Sequence, residues 1–462
     1  MHLNLFTECA PVPSFEGLWR DPGDRTAEGH GSLEYWTGVA RRLEEACFDA
    51  LFFADVHGTY DVYGGSWATA ARDGVALPSI DPVLLIPALA AVTERLGFAV
   101  TYSTTYHPPY LCARAFSTLD HLTRGRIAWN VVTSYLRSAS DNGLGEFLPH
   151  DERYDRADEY LAVARALWER SWDEDAVRVD REAGVFTDPD RVRQIDHHGR
   201  WYDVRGPHQC APSPQRTPVL YQAGTSERGL RFAAEHAEVV FVTLAEPRRG
   251  AEVVADLRRR VADAGRDPRS VTVLQGMPVV VGATTEQAKA RLALMERFHS
   301  AEGRLAKWCG WTGIDLAGYP EDMPLSELPV QGTRSALDAV RRTDPGREWT
   351  VGDARRTVST VHLPMRGGRF MLFGSAGEVA DQMQRWQEVS DVDGFNLVPF
   401  PPSSGIDDIC DLLVPELQRR GVFRTSYDPA ETTLRERYRG AGNARLPWRD
   451  PARSPAVSTA PG

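Results

Sequence analysis

The sequence predicts a (β/α)8 TIM barrel with long insertions. Three observations predict it. Short apolar runs bounded by turn residues alternate with amphipathic helical runs along most of the chain. Eight such strand runs occur, and they are predominantly apolar, as befits parallel strands covered on both faces. The chain has 462 residues and is 42% hydrophobic, ample for one barrel and its insertions. A doubly wound sheet is the alternative arrangement of the same repeat.

The expected strands are Leu3 to Thr7, Ala50 to Ala54, Leu96 to Ser103, Ile127 to Thr133, Val219 to Gln222, Val239 to Leu244, Val271 to Val281 and Phe395 to Val398. Helical periodicity fills the gaps. It runs over Glu34 to Ala46, Pro82 to Glu94, Leu111 to Leu122, Asp151 to Arg170 and Glu227 to Glu235. It continues over Arg248 to Ala264, Glu286 to Phe298, Val379 to Val389 and Asp407 to Arg420. Ser375 with Glu378, and Thr284 with Gln287, have capping-box spacing just ahead of two of these runs. The barrel is expected over residues 1–426, with insertions at about 134–149, 172–212 and 301–369. The second holds an expected hairpin, VRQIDHHGRWYDVRG; the third carries Trp308, Trp311 and Trp349 and reads as a functional cover. Residues 427–462, rich in Arg, Pro, Ala and Gly, read as an extended or partly disordered tail.

Composition narrows the partners. The formal net charge of -11 argues against a nucleic-acid partner. The six cysteines are scattered and form no CxxC, which fits free thiols in a reducing cytoplasm. The first residues enter a strand-like run with no signal-peptide pattern, and no apolar run reaches a membrane span. The expectation is a cytoplasmic protein with no membrane or nucleic-acid partner. No GxSxG, HExxH or catalytic-cysteine signature appears, and the His197-His198 pair lacks further metal ligands at a sensible spacing.

In a barrel the site gathers at the C-terminal strand ends. Asp55 ends ALFFAD there, followed by Val56 and His57; it reads as a ligand acceptor or a turn cap. Thr101 lies near the end of the third strand, as a ligand donor or a β-branched filler. His107 opens a rigid HPPY turn, and spacing leaves open whether it faces the pocket. Asn130 sits in the fourth strand, where a buried amide without partners costs about 1–3 kcal/mol. His150 and Tyr154 share one face of a helix's first turns. Either they cap and pack, or they bind. QAGTSERG, residues 222–229, follows a strand and opens a helix; free N–H groups, hydroxyls and glycine there suit a phosphate, and an ordinary Ser226 N-cap is the plainer reading.

Taken together, ARAFSTLDHLTRGRIAWNVVTSYL, LPHDERYDRADEYL, GVFTDPDRV, APSPQRTPVLYQAGTSERG and DGFNLV resemble the bacterial-luciferase-like two-component flavin-dependent monooxygenases. More narrowly they resemble the group containing nitrilotriacetate, dibenzothiophene sulfone and dimethyl sulfide monooxygenases. LEYW, ADVHGTYDVYGGS, GWTGID and EWTVGD are most similar to the dimethyl sulfide branch. The resemblance spans Leu3 to Arg424. It implies a luciferase-like barrel that uses FMN as FMNH2, with O2 as co-substrate and FMNH2 supplied by a separate NAD(P)H-dependent flavin reductase. The implied reaction inserts one oxygen atom into a small organic molecule: an organosulfur compound, amine or heterocycle. A homo-oligomer is expected. Carried onto this chain, the family's FMN-contacting positions are Asp55, Thr101, His150, Tyr154 and Ser226, with Tyr154 and Ser226 at the phosphate. The resemblance names no catalytic residue. A deazaflavin (F420)-dependent hydride-transfer enzyme and a non-catalytic flavin-binding protein are the competing readings.

Overall fold

The computed structural model describes residues 1–446 apart from 225, 245, 330, 331, 333, 342, 343, 345 and 361–370. Eight parallel strands close on themselves. They are β1 (His2–Glu8), β2 (Ala50–Ala54), β3 (Gly97–Ser103), β4 (Ile127–Val132), β5 (Val219–Ala223), β6 (Val239–Val242), β7 (Thr272–Gly282) and β8 (Gly394–Pro399). Each pairs with the next, and β8 returns to β1, with Leu3 opposite Phe395. All eight expected strands and all nine expected helical runs are present. A short strand, Leu372–Ser375, was not expected; it lies beside the end of β7, with Val279 opposite Leu372. Four residues are too few to show a period.

Strand alternation sorts the side chains. Leu51, Phe53, Phe98, Val100 and Trp129 face outward into the layer shared with the helices. Phe52, Ala99, Ala128 and Tyr221 face the barrel axis. Large rings fit in that narrow interior because alanines and one glycine stand opposite them. Phe6 stacks on Phe52 at 5.6 Å, and Phe52 meets Phe241 at 5.9 Å. A Cβ at Gly276 would lie 2.2 Å from the Phe241 ring, so only glycine fits there.

The capping signals resolve differently. Ser375 and Glu378 form the reciprocal box at the start of Ala376–Ser390. Thr284 accepts from Gln287 N–H, but the Gln287 side chain takes the N–H of Ala283 instead.

The second insertion forms two small hairpins, Val177–Asp180 with Val185–Thr187 and His197–His198 with Asp203–Val204; the latter is the expected one. The third contributes helices Ala301–Thr312, Arg334–Arg341 and Val351–Ser359 around their own core, which includes Leu305, Trp308, Leu316, Trp349 and Val351. Its expected end, 361–369, lies outside the described residues.

The tail expectation is corrected over part of its length. Leu434–Arg439 is a helix with a full capping box from Thr433 and Glu436. It plugs the N-terminal end of the barrel. Leu434 packs among the axial side chains, and Tyr438 bonds to Asn4 and Tyr221. Arg435 forms a buried pair with Glu238 at 2.8 Å and also donates to the carbonyl of Thr217. Arg435 and Arg437, counted in the composition of an expected extended tail, are here buried donors to the carbonyls of Thr217, Asp49 and Arg95. Residues 447–462 lie outside the described residues. Among the described residues, no helix is long and apolar enough to cross a membrane.

Candidate active site

The C-terminal strand ends form the mouth opposite that plug. Thr101 is buried near the end of β3, directly across from Asn130 on β4. Its hydroxyl donates to the Phe53 carbonyl (2.8 Å) and accepts from the Asn130 amide (2.8 Å). That fixes the amide and leaves Asn130 Oδ1 buried without a protein partner. An orphaned acceptor of this kind is costly unless a ligand N–H meets it.

Asp55 follows β2 directly. Burial pushes its carboxyl up to about 7, and the charges of Asp81 and Glu8 add to that. His57 approaches it, with Nδ1 3.9 Å from Oδ2.

A second cluster lies around the start of Glu227–His236. Ser226 is the N-cap, its hydroxyl accepting from Gly229 N–H at 3.1 Å. Tyr154 is buried, and its hydroxyl lies within hydrogen-bonding reach of Ser226 and Gln222. A Cβ on Gly229 would meet Ser226 Oγ at 2.9 Å and the Tyr154 hydroxyl at 3.0 Å, so this floor must stay bare. His150 opens helix His150–Arg170, edge-on to Tyr154 at 5.3 Å, and bonds Asp151 at 2.7 Å. Arg228 lies over the Tyr154 ring at 5.4 Å. One of its nitrogens is held by Asp155 and Asp158, while Nε and Nη1 are buried without partners. Helix N–H groups, two hydroxyls and a half-satisfied guanidinium are a donor set for an anion.

Of the five expected site residues, His150, Tyr154 and Ser226 converge in this second cluster, and Asp55 and Thr101 stand at neighbouring strand ends. Polar contacts also tie the ends of β3 and β4 to the start of helix His150–Arg170: Ser103 bonds Ser134 at 2.7 Å, and Arg153 donates to the Ser134 carbonyl.

The third insertion packs onto the same mouth. Lys307 lies buried between Glu8 (3.7 Å) and Glu16 (3.6 Å). Burial raises the Glu8 carboxyl, and Lys307 partly offsets this. Trp311 joins Tyr60, Leu136 and Val56, and the Tyr60 ring presses on Gly310, where a Cβ would lie 2.2 Å away. Sequence reasoning did not assign Lys307, Arg228 or His57 to a site. One signal for Lys307 was available: it is one of only two lysines in the chain.

The model of the luciferase-like monooxygenase family matches residues 17–391. Dimethyl-sulfide monooxygenase of Hyphomicrobium sulfonivorans is 43% identical over 97% of this chain and 92% of its own length. Long-chain alkane monooxygenase of Geobacillus thermodenitrificans is 44% identical over 97% and 96%. A crystal structure of riboflavin lyase with modified FMN and riboflavin superposes with a TM-score of 0.88, at 33% identity over 96% of this chain and 97% of that one. A closed barrel, a mouth with an anion cradle and these likenesses agree: the chain belongs to the luciferase-like monooxygenase family and is a flavin-dependent monooxygenase.

Proposed function

We propose that the chain binds FMN as FMNH2 at the barrel mouth and transfers one oxygen atom from O2 to a small organosulfur compound, amine or heterocycle. A separate NAD(P)H-dependent flavin reductase supplies the FMNH2. The observation that carries this reading is the donor set of Tyr154, Ser226, Arg228 and the helix start at the same barrel mouth as the orphaned Asn130 acceptor.

The residues fit FMN. Tyr154, Ser226 and Arg228 hold the phosphate, and His150 closes its flank. Asp55 and Thr101 serve the ring side and ribityl chain. Reduced FMN supplies the activation of O2 when bound. The protein positions the ring, and the Ala301–Thr312 helix excludes water from it with Trp311 and the Lys307 ion pairs. Asp55, with its carboxyl near 7, holds or releases a proton beside the ring at neutral pH.

The test is incubation with a generic flavin reductase, FMN, NADH and a panel of organosulfur, amine and heterocyclic compounds. Substrate-dependent O2 uptake and products heavier by one oxygen are expected. FMN binding without any oxygenated product would overturn the proposal, as would hydride transfer from a reduced deazaflavin without O2 uptake.

A further inference from the structure

We infer that His57 and His107 form a proton relay between Asp55, inside the mouth, and solvent at its rim. The two rings come from different loops. His57 lies two residues past Asp55 after β2. His107 lies in the turn after β3, stiffened by Pro108 and Pro109 ahead of helix Pro109–Leu122. Their Nε2 atoms are 2.9 Å apart. A hydrogen bond between two such nitrogens needs one bearing a proton and one bare.

Packing locks this alignment. His107 stacks on Tyr102 at 3.7 Å and 15°, and His57 meets His107 edge-on at 4.9 Å. Tyr106 borders His57 on the other side at 5.9 Å. Both histidines, like Asp55, are half-buried, so the pair lies where the mouth meets solvent. The charged and titratable groups around it are Asp81, which acts on His57 and on Asp55, Glu8, which acts on Asp55, and the Cys9 thiol beside Asp55; from the other strands and turns the Tyr102 and Tyr106 rings face it. Burial holds both imidazoles below their ordinary value, His107 at about 4, so both are neutral at pH 7.

The transfer balances. With Asp55 protonated, its proton passes to His57 Nδ1. The proton on His57 Nε2 passes to His107 Nε2, and that on His107 Nδ1 leaves to water. One proton has moved from Asp55 to solvent, both rings have exchanged tautomers, and nothing is oxidised or reduced. The reverse order delivers a proton inward. The 3.9 Å gap between Asp55 and His57 is one bridging water or a small side-chain rotation from contact. A neutral two-ring relay avoids placing an imidazolium in a desolvated mouth. The histidines act through Asp55, as positioning residues. Their use in turnover rests on the flavin reading above; the paired rings do not.

Two variants, His57→Gln and His107→Gln, test this; glutamine keeps hydrogen-bonding capacity but cannot pass a proton through its side chain. In the flavin-free protein with 15N-labelled histidine, NMR is expected to show a coupling across the Nε2–Nε2 hydrogen bond, lost in either variant. Its absence in the native protein overturns the relay. With reductase, FMN and an accepted substrate, each variant is expected to turn over roughly 10- to 100-fold more slowly with an altered pH profile. FMN affinity and melting temperature should stay near native. Imidazole in the buffer should restore part of the His107→Gln rate. Native rates and pH profile in both variants overturn the relay, as does a loss of FMN affinity equal to the loss of rate. If the native protein binds no flavin, the flavin reading falls and the relay is judged on the coupling alone.

Discussion

Asp55 pays for its position in a way that can be measured without any ligand. Its folded carboxyl titrates near 7, above the value of about 4 expected in an unfolded chain. A carboxyl raised on folding favours the native state at low pH, and that contribution fades as the pH climbs from about 4 to about 7. Asp55→Asn removes the ionisation. It should therefore raise the melting temperature of the flavin-free protein by roughly 2–4 °C at pH 8, and the gain should shrink towards pH 4. An unchanged difference across that range contradicts the buried carboxyl. At the cradle, Ser226→Ala should weaken FMN binding about 5-fold and Arg228→Gln about 10- to 100-fold. Riboflavin, which lacks the phosphate, should bind both variants as it binds the native chain; equal losses for the two ligands would displace the phosphate from this cradle. Some of these residues were legible in the sequence for physical reasons. His150 and Tyr154 obey helical spacing, Asp55 and Thr101 stand at strand ends, and Asn130 breaks a β-branched run. Pairing of His57 with His107 was not legible, because it depends on how two turns from different loops fold over one another.

Among the elements, the helix Leu434–Arg439 carries weight out of proportion to its length. Its Arg435 guanidinium and the Glu238 carboxylate are both buried and paired with each other, and each has backbone partners besides. Burial opposes the charge on each, and each offsets the other's loss of water. Arg435→Met strands a carboxylate in the barrel floor and should cost about 3–5 kcal/mol in chemical denaturation. Pairing it with Glu238→Gln should recover much of that loss; no recovery would show that the arginine acts through its carbonyl contacts alone. Periodicity found the barrel helices because each has one face against the sheet. It missed this one because six residues make under two turns, and its buried side chains are mostly charged. The same logic explains the Leu372–Ser375 strand, whose pairing with the extended end of β7 appears only once the barrel is built.

For the molecule as a whole, the repeat of strand and helix made the architecture readable, while closure was not. Nothing local marks Leu3 on β1 as the neighbour of Phe395 on β8; that contact follows from eight twisted strands running out of other partners. Nor does local pattern show that the third insertion docks on the mouth through Lys307 and Trp311. If this insertion closes over bound ligand, FMN plus substrate should slow its cleavage in limited proteolysis at least several-fold, while the exposed hairpin at Val177–Asp180 is cut as before. Unchanged cleavage of the insertion would rule out closure.

The bond from Tyr438 to Asn4 ties helix Leu434–Arg439 to β1 across a separation of 434 residues. A ribosome must therefore add that length of chain before β1 meets this neighbour. Until then the nascent barrel has an uncorked base, and a holdase chaperone has its longest opportunity at that end.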